Sequence, residues 1–381
     1  MFKAFVEHNS RSTQATPRRG FMIEVDGSML EGGGQLLRVS VALSAVTKTP
    51  IRVFDIRAKR SNPGLRPQHL KAVEAVAKLV GARTSGLDVA SKEIEFAPGH
   101  AEARDLEIDV GTAGSVGLVL QAMMPAMAFA PGPITVVIKG GTNNPMAPPI
   151  DFVERVLFPT LRSLGVSASL ELVRRGFYPR GQGSVKVRMR PVTGVSSLVL
   201  TEFGEVRGMS GLAYSSKLPD HVVDRMVSGS KLMLGKAGYS DVSIVQEVLQ
   251  QGDPRCAVDL GCGIILVAEL SSGCIIAGDS LGERGKPAEQ VGTEAAQGLI
   301  EQLERRAPVD RHLGDQLAVW MGLARGTSAI RVCELTLHTL TCIEVIQRIA
   351  GARFTVDGER SKPATITCQG IGLENRAIRG T

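Results

Sequence analysis

Glu31 opens the run EGGGQLLR, which closes at Arg38, and a second run, RAKRSNPGLRPQH, brings Arg57, Lys59, Arg60, Arg66, Gln68 and His69 close behind it. A carboxylate is a hard-oxygen ligand for a divalent cation. Consecutive glycines expose backbone N–H groups, and at a helix start those groups and the helix dipole favour an anion. Arginine's planar fork grips phosphate oxygens two at a time. The combination suits a site that handles metal ions and phosphates together. The glycine run is not a Walker loop, because no GK[ST] follows it. GERGKPAEQ, Gly282 to Gln290, fails the same test because Pro287 follows Lys286. Taken singly, a tight turn with a solvated Glu31 and a solvated basic face stay open as readings of the two runs.

The chain has six histidines. His69, His312 and His338 fall at or beside expected helix starts, and His338, in ELTLHTLTCIEV, occupies the slot after a strand that His69 occupies earlier. A histidine among Leu337, Thr339 and Leu340 is commonly a satisfied core group. Partly buried and neutral, it is equally a good nucleophile toward phosphorus.

The elements that must position these residues show an internal repeat. The first unit reads as helix 35–46, strand 51–56, a polar loop and helix 67–80 stopped by Gly81. The second reads as helix 115–130, strand 134–138, the loop GGTNNPMAPP and helix 150–164 stopped by Gly165. The third reads as helix 313–324, strand 329–333 and helix 338–350 stopped by Gly351. The echoes KLVGAR, SLGVS and RIAGARF support the register, and glycine accepts the left-handed conformation that ends a helix. The fold class is therefore α+β: three repeated units, each a sheet with two helices, packed around a common axis. Between residues 202 and 306 the period breaks. Helices 219–234 and 288–305 and strands 242–246, 264–269 and 274–278 form a smaller inserted α/β domain. Residues 1–21 read as a flexible tail, 22–201 and 307–360 as the repeated-unit catalytic domain, and 361–381 as a tail or final strand.

Composition narrows the partners. The length, 381 residues, suffices for two domains and a large core. A net charge of +6 favours polyanions, while one Trp and three Tyr argue against an aromatic platform that reads single-stranded bases. Cys256, Cys262, Cys274, Cys333, Cys342 and Cys368 show neither a CxxC pair nor zinc spacing, which reads as a reducing, cytoplasmic setting. The most membrane-like stretch, 118–130, carries Gln121 and Pro125. The first twenty residues lack the apolar core of a secretory signal.

EGGGQLLR, IRAKRSNPGLRPQHL, GTAGSVGLVLQ, GGTNNPMAPPIDF, GFYPRGQG, HLGDQL and LHTLTCIEVIQRI occur in this order, and together they resemble the RNA 3′-terminal phosphate cyclase family from about Met22 to Phe354. The resemblance implies three units like the C-terminal domain of a translation initiation factor plus an insert of thioredoxin-like topology. It implies ATP-dependent conversion of an RNA 3′-phosphate to a 2′,3′-cyclic phosphate through a histidine–AMP intermediate and an RNA–adenylate anhydride. His338 matches the adenylated histidine and Glu31 the carboxylate associated with Mg2+ or Mn2+. Arg38, Arg57, Arg60, Gln68 and His69 match the phosphate-handling set. Gln121, Pro148 and the run His312, Leu313, Gly314, Asp315 and Gln316 match the adenylate pocket, with His312 standing where one branch of the family has a tyrosine. The partners implied are ATP and an RNA bearing a 3′-terminal phosphate, with no membrane. The alternatives are a non-catalytic, RNA-binding ribosome-assembly factor of the same fold, which lacks the histidine nucleophile, and an enolpyruvyl transferase built from related units.

Overall fold

A computed structural model describes residues 22–378. The expected tail, 1–21, lies outside the described residues. The first segment runs β1 (Ile23–Asp26), α1 (Gly34–Thr47), β2 (Ile51–Phe54), α2 (Pro67–Val80), β3 (Arg83–Ser85) and β4 (Ile94–Ala97). Its sheet has the order β1-β2-β4-β3, parallel between β1 and β2 and antiparallel elsewhere. The second segment runs β5 (Leu106–Asp109), α3 (Val116–Ala128), β6 (Ile134–Gly140), α4 (Ile150–Phe152), α5 (Phe158–Ser163), β7 (Ala168–Arg174) and β8 (Gly183–Met189). Its sheet, β5-β6-β8-β7, repeats the same pattern of one parallel and two antiparallel pairings.

After β9 (Val199–Leu200) come β10 (Val206–Ser216), α6 (His221–Lys236), β11 (Val242–Leu249), β12 (Gly261–Leu270), β13 (Ile275–Leu281) and α7 (Ala288–Glu304). Their sheet has the order β11-β10-β12-β13. The chain then forms α8 (Leu313–Leu323), β14 (Thr327–Val332), α9 (Leu337–Ala350), β15 (Arg353–Gly358) and β16 (Ala364–Gln369). The last sheet, β15-β16-β14-β9, takes β9 from before residue 202 and its other strands from after residue 306.

Helix positions follow the expected apolar spacing closely. Helices α2 and α9 end at Gly81 and Gly351, both left-handed, with φ of +59° and +78°. One expected element is broken. Helix 150–164 divides into α4, a π-helical turn at Val153–Leu157, and α5. Residues 361–381 contain β16, which pairs with both β14 and β15. The strands that went unread, including β1, β4, β5, β8 and β10, are short or rich in glycine and serine.

The β10–β13 sheet is buried on both faces. Successive strand side chains point to opposite sides. Leu212, Tyr214, Ile265 and Val267 join the large core formed with the other three sheets, whereas Met209, Ala213, Ile264, Leu266 and Ala268 join a second core with α6 and α7. This explains the unbroken apolar run of β12, since a strand covered on both sides needs no polar face.

Polar contacts lock this sheet to its neighbour. The fully buried Arg175 guanidinium makes two 3.0 Å hydrogen bonds to Asp151 and a 2.6 Å bond to Glu247 on β11. It also lies 3.9 Å from the Tyr214 ring centroid, and the Asn143 amide donates to the Tyr214 hydroxyl at 2.8 Å. Removing one member strands the others without water. Arg175→Ala is therefore expected to destabilise the protein by about 3–5 kcal/mol, read as a lower denaturant midpoint. A loss below about 1 kcal/mol would show that the pair is not holding the two parts together.

Candidate active site

Three helices begin at one place. Helix α1 starts at Gly34 without a side-chain cap. Helix α8 starts at Leu313, where the Asp310 carboxylate accepts from the N–H groups of His312 and Leu313 at 2.8 and 2.7 Å. Helix α9 is capped by Thr336, whose hydroxyl accepts from Thr339 N–H at 3.1 Å, and His338 lies in its first turn. Positive helix ends converging on one cavity favour anionic ligands.

The centre of the arrangement is Gln35. Its amide nitrogen donates to the Asp315 carboxylate, and its amide oxygen lies 2.7 Å from His338 Nδ1. An amide oxygen only accepts, so Nδ1 must carry the proton. The other ring nitrogen, Nε2, is left with its lone pair. His338 is solvent-exposed. Burial of part of the ring holds its pKa below the usual histidine value, and the nearby Arg38 and Arg60 charges push in the same direction. The imidazole is therefore neutral at neutral pH and presents an unprotonated nitrogen to solvent.

The buried Arg38 guanidinium, lowered to about 10 by desolvation, remains cationic at neutral pH. Burial pushes Asp315 up to about 7 against the opposing pull of Arg38. His312 is depressed to about 4 by burial, then by Arg311 and His338, so its ring is neutral. It meets Phe152 edge-on, 6.0 Å between centroids at 83°. The Gln316 amide donates to the His312 carbonyl at 2.9 Å and leaves its own buried oxygen without a partner.

Gln35, Arg38, Gln121, Pro148, His312, Asp315, Gln316 and His338 share the wall of one cleft of about 1240 Å3. Its opposite wall comes from β12, β13 and the loop after β13, including Asp279, Arg284 and Lys286. Leu313 and Gly314 are buried at the start of α8, where a side chain on Gly314 would meet Val332.

The remaining expected residues do not line this cleft. The Glu31 carboxylate is ion-paired to Arg60, its second oxygen is buried and unpartnered, and its N–H donates to Thr341 on α9 at 3.2 Å. Arg57 uses its guanidinium to hold the carbonyls of Asn62 and Gly64 at 2.6 and 3.0 Å, which shapes the basic loop. His69 is buried, accepts at Nδ1 from Arg66 N–H at 3.3 Å, and is depressed to about 3 by desolvation and three arginines. Gln68 packs near Gly114. The glycines bring these groups close: a side chain on Gly33 would strike the Glu31 carboxylate, and one on Gly34 would strike the His69 ring.

Sequence reasoning left Gln35, Asp310 and Phe152 without roles. Gln35 stood inside a quoted motif, yet its partners lie 280 and 303 positions away. Asp310 carried a local signal, an acid just ahead of a helix start.

Fold and site define a class: an α+β protein whose cleft sets a neutral imidazole among cations and helix N-termini. Comparison with known proteins narrows it. The family model for RNA 3′-terminal phosphate cyclase matches residues 29–356. The chain is similar to the RNA 3′-terminal phosphate cyclase of Desulfurococcus amylolyticus, 46% identical over 356 residues, covering 93% of this chain and 99% of that protein. It is 43% identical over 352 residues to the one from Ignicoccus hospitalis, covering 92% and 99%. It is 44% identical over 344 residues to the one from Thermococcus gammatolerans, covering 90% and 97%. The chain belongs to the RNA 3′-terminal phosphate cyclase family.

Two measurements on the intact protein test this geometry. Ring-nitrogen shifts should report His338 as the Nδ1–H tautomer, and Gln35→Leu should let the two tautomers mix. An unchanged tautomer in the variant would remove Gln35 from this role. Wild-type His338 should titrate below 6.5, and Arg60→Gln should move that titration upward, because a neighbouring cation is lost. A downward or absent shift would contradict the electrostatic account.

Proposed function

We infer that this chain is an ATP-dependent RNA 3′-terminal phosphate cyclase, and the observation that carries the inference is the free Nε2 of His338 in the cationic cleft. Nε2 attacks the α-phosphorus of ATP, forming an N–P bond as pyrophosphate leaves. A 3′-phosphate oxygen of the RNA then attacks the same phosphorus, the N–P bond breaks, and His338 is restored. Finally the 2′-oxygen attacks the activated 3′-phosphorus, AMP leaves, and the hydroxyl proton passes to solvent. This last attack is intramolecular, so its orientation is largely set beforehand. The protein's work is mainly to place groups and balance charge.

Each residue has a proposed part. Gln35 fixes the His338 tautomer, and Asp315 fixes Gln35. Arg38 balances charge on the transferred phosphate. Gln121, Pro148, Gln316 and the neutral His312 ring hold the adenylate, with Phe152 supporting His312. Arg60, Gln68 and His69 back the phosphate-handling site from beside the cleft, and Arg57 keeps their loop in shape. Glu31 fits a divalent cation, because its unpartnered oxygen offers one carboxylate of the sort Mg2+ combines with substrate phosphates. Such an ion, Mg2+ or Mn2+, held by Glu31 and substrate phosphates, would supply charge neutralisation.

The shared pairing order of three sheets supports three repeated units about a common axis, spanning 22–201 and 307 onward. The separate second core supports an inserted domain at 202–306, for which a thioredoxin-like topology is proposed. The six cysteines are free and buried, in keeping with a reducing cytoplasm. Among the described residues no helix is long and apolar enough to cross a membrane.

Incubation with α-labelled ATP and Mg2+ should leave an acid-labile label on the wild type. His338→Ala should reduce that label by at least about a thousandfold, as loss of a covalent nucleophile requires. Label that survives the substitution would displace His338. A wild type that takes no label yet binds RNA would favour the non-catalytic alternative.

A further inference from the structure

The cleft is larger than one nucleotide needs. Its volume, about 1240 Å3, exceeds the roughly 300–1000 Å3 of ordinary ligand sites. The adenylate groups come from α3, the loop before α4 and the start of α8, which leaves the wall built by residues 177–179, β12, β13 and the loop after β13 without a task in any step above.

Those walls have a distinct chemistry. Met146, Tyr178 and Leu260 line the cleft with 103%, 70% and 61% of their surface exposed. Three large, exposed side chains on the wall of one cleft offer apolar surface to a ligand that enters it. Tyr214 is fully buried, so Tyr178 is the tyrosine the cleft offers to a ligand. Arg284, on the loop between β13 and α7, lines the same cleft. It is exposed and has no hydrogen-bond or ion-pair partner among the described residues. Lys286, by contrast, is engaged by Glu294, Glu283 and the Leu281 carbonyl.

We propose that this rim seats the last nucleotides of the RNA strand: Tyr178, flanked by Met146 and Leu260, stacks a base, and Arg284 holds a phosphodiester. The proposal rests on the cyclase reading and gives the 202–306 segment a task within it. Two nucleotide-sized groups must meet at His338, and the rim residues line the same cleft as His338. Every base has a π face, so a single tyrosine grips an RNA end without choosing its sequence. Sparse tyrosine in the composition excludes an extended platform, not a single stacking ring. The buried Arg175 network keeps the two halves of the rim in register, because Tyr178 follows Arg175 closely and Leu260 belongs to the other side.

Full-length wild type, Tyr178→Ala, Tyr178→Phe and Arg284→Ala are compared in three assays. These are equilibrium binding of a 3′-phosphorylated RNA, labelling by α-labelled ATP, and single-turnover cyclisation. Tyr178→Ala should weaken RNA binding about tenfold or more, as loss of one stacked base does, and Tyr178→Phe should restore it. The loss in RNA use should exceed any change in ATP labelling by about the same factor. RNA made abasic at one of its terminal positions should bind wild type and Tyr178→Ala alike, whereas intact RNA separates them. Arg284→Ala should reduce the salt dependence of log K by about 0.7. Abasic RNA that still separates the two proteins as intact RNA does would overturn the stacking role. So would a Tyr178→Ala that slows ATP labelling as much as RNA use, which would assign the ring to ATP. Failure of the wild type to take label overturns the cyclase reading instead, and the binding arm still decides the rim.

Discussion

One side-chain amide joins the acid and the imidazole at the heart of the cleft. Gln35 is held by Asp315 at its nitrogen and holds His338 at its oxygen, so the histidine has a single choice of tautomer. Imidazole has two nitrogens of similar basicity, and a nucleophile needs the right one deprotonated and facing outward. Local sequence does not provide this. The three residues come from the first turns of α1, α8 and α9, and they meet only when the helices of distant segments pack together. The orienting logic is that of a catalytic triad, with an amide placed between acid and base.

The surrounding charge serves the same nitrogen twice. Burial first, and then the Arg38 and Arg60 charges, hold the His338 pKa below its ordinary value, and guanidinium groups are good partners for phosphates. Their own charges are partly balanced: Arg38 by the field of Asp315, Arg60 by Glu31. His69 gains a buried position beside three arginines by remaining neutral, and Gly33 and Gly34 clear the space for the packing. This tight set lies beside the cleft rather than on its wall. Its influence on His338 runs through electrostatics and through the loop that carries Arg60.

Much of this was legible in the residues. The helix positions followed from apolar spacing and from Gly81 and Gly351, because a helix buries one stripe and a left-handed glycine stops it. The ordered motifs carried the family. The strands were harder to read. A four-residue strand such as β5 shows two alternations, too few to stand above chance, and β10 is rich in glycine and serine and is covered by the large core on one face and by α6 and α7 on the other. The π-helical turn at Val153–Leu157 has no local signature comparable to a proline or glycine stop. Site chemistry divided in the same way. Residues named by type, such as His338 and Asp315, stood out, whereas the link between them did not, because glutamine is ordinary and its role arises from two contacts across the fold.

The most direct test of the account is the bond that ATP leaves behind. In uniformly nitrogen-15-labelled, adenylated protein, coupling between phosphorus and nitrogen identifies the atom that carries AMP. The account predicts a phosphoramidate at Nε2 of His338, with the proton retained on Nδ1 beside Gln35. Phosphorus coupled to Nδ1, or attached to any other residue, would contradict it.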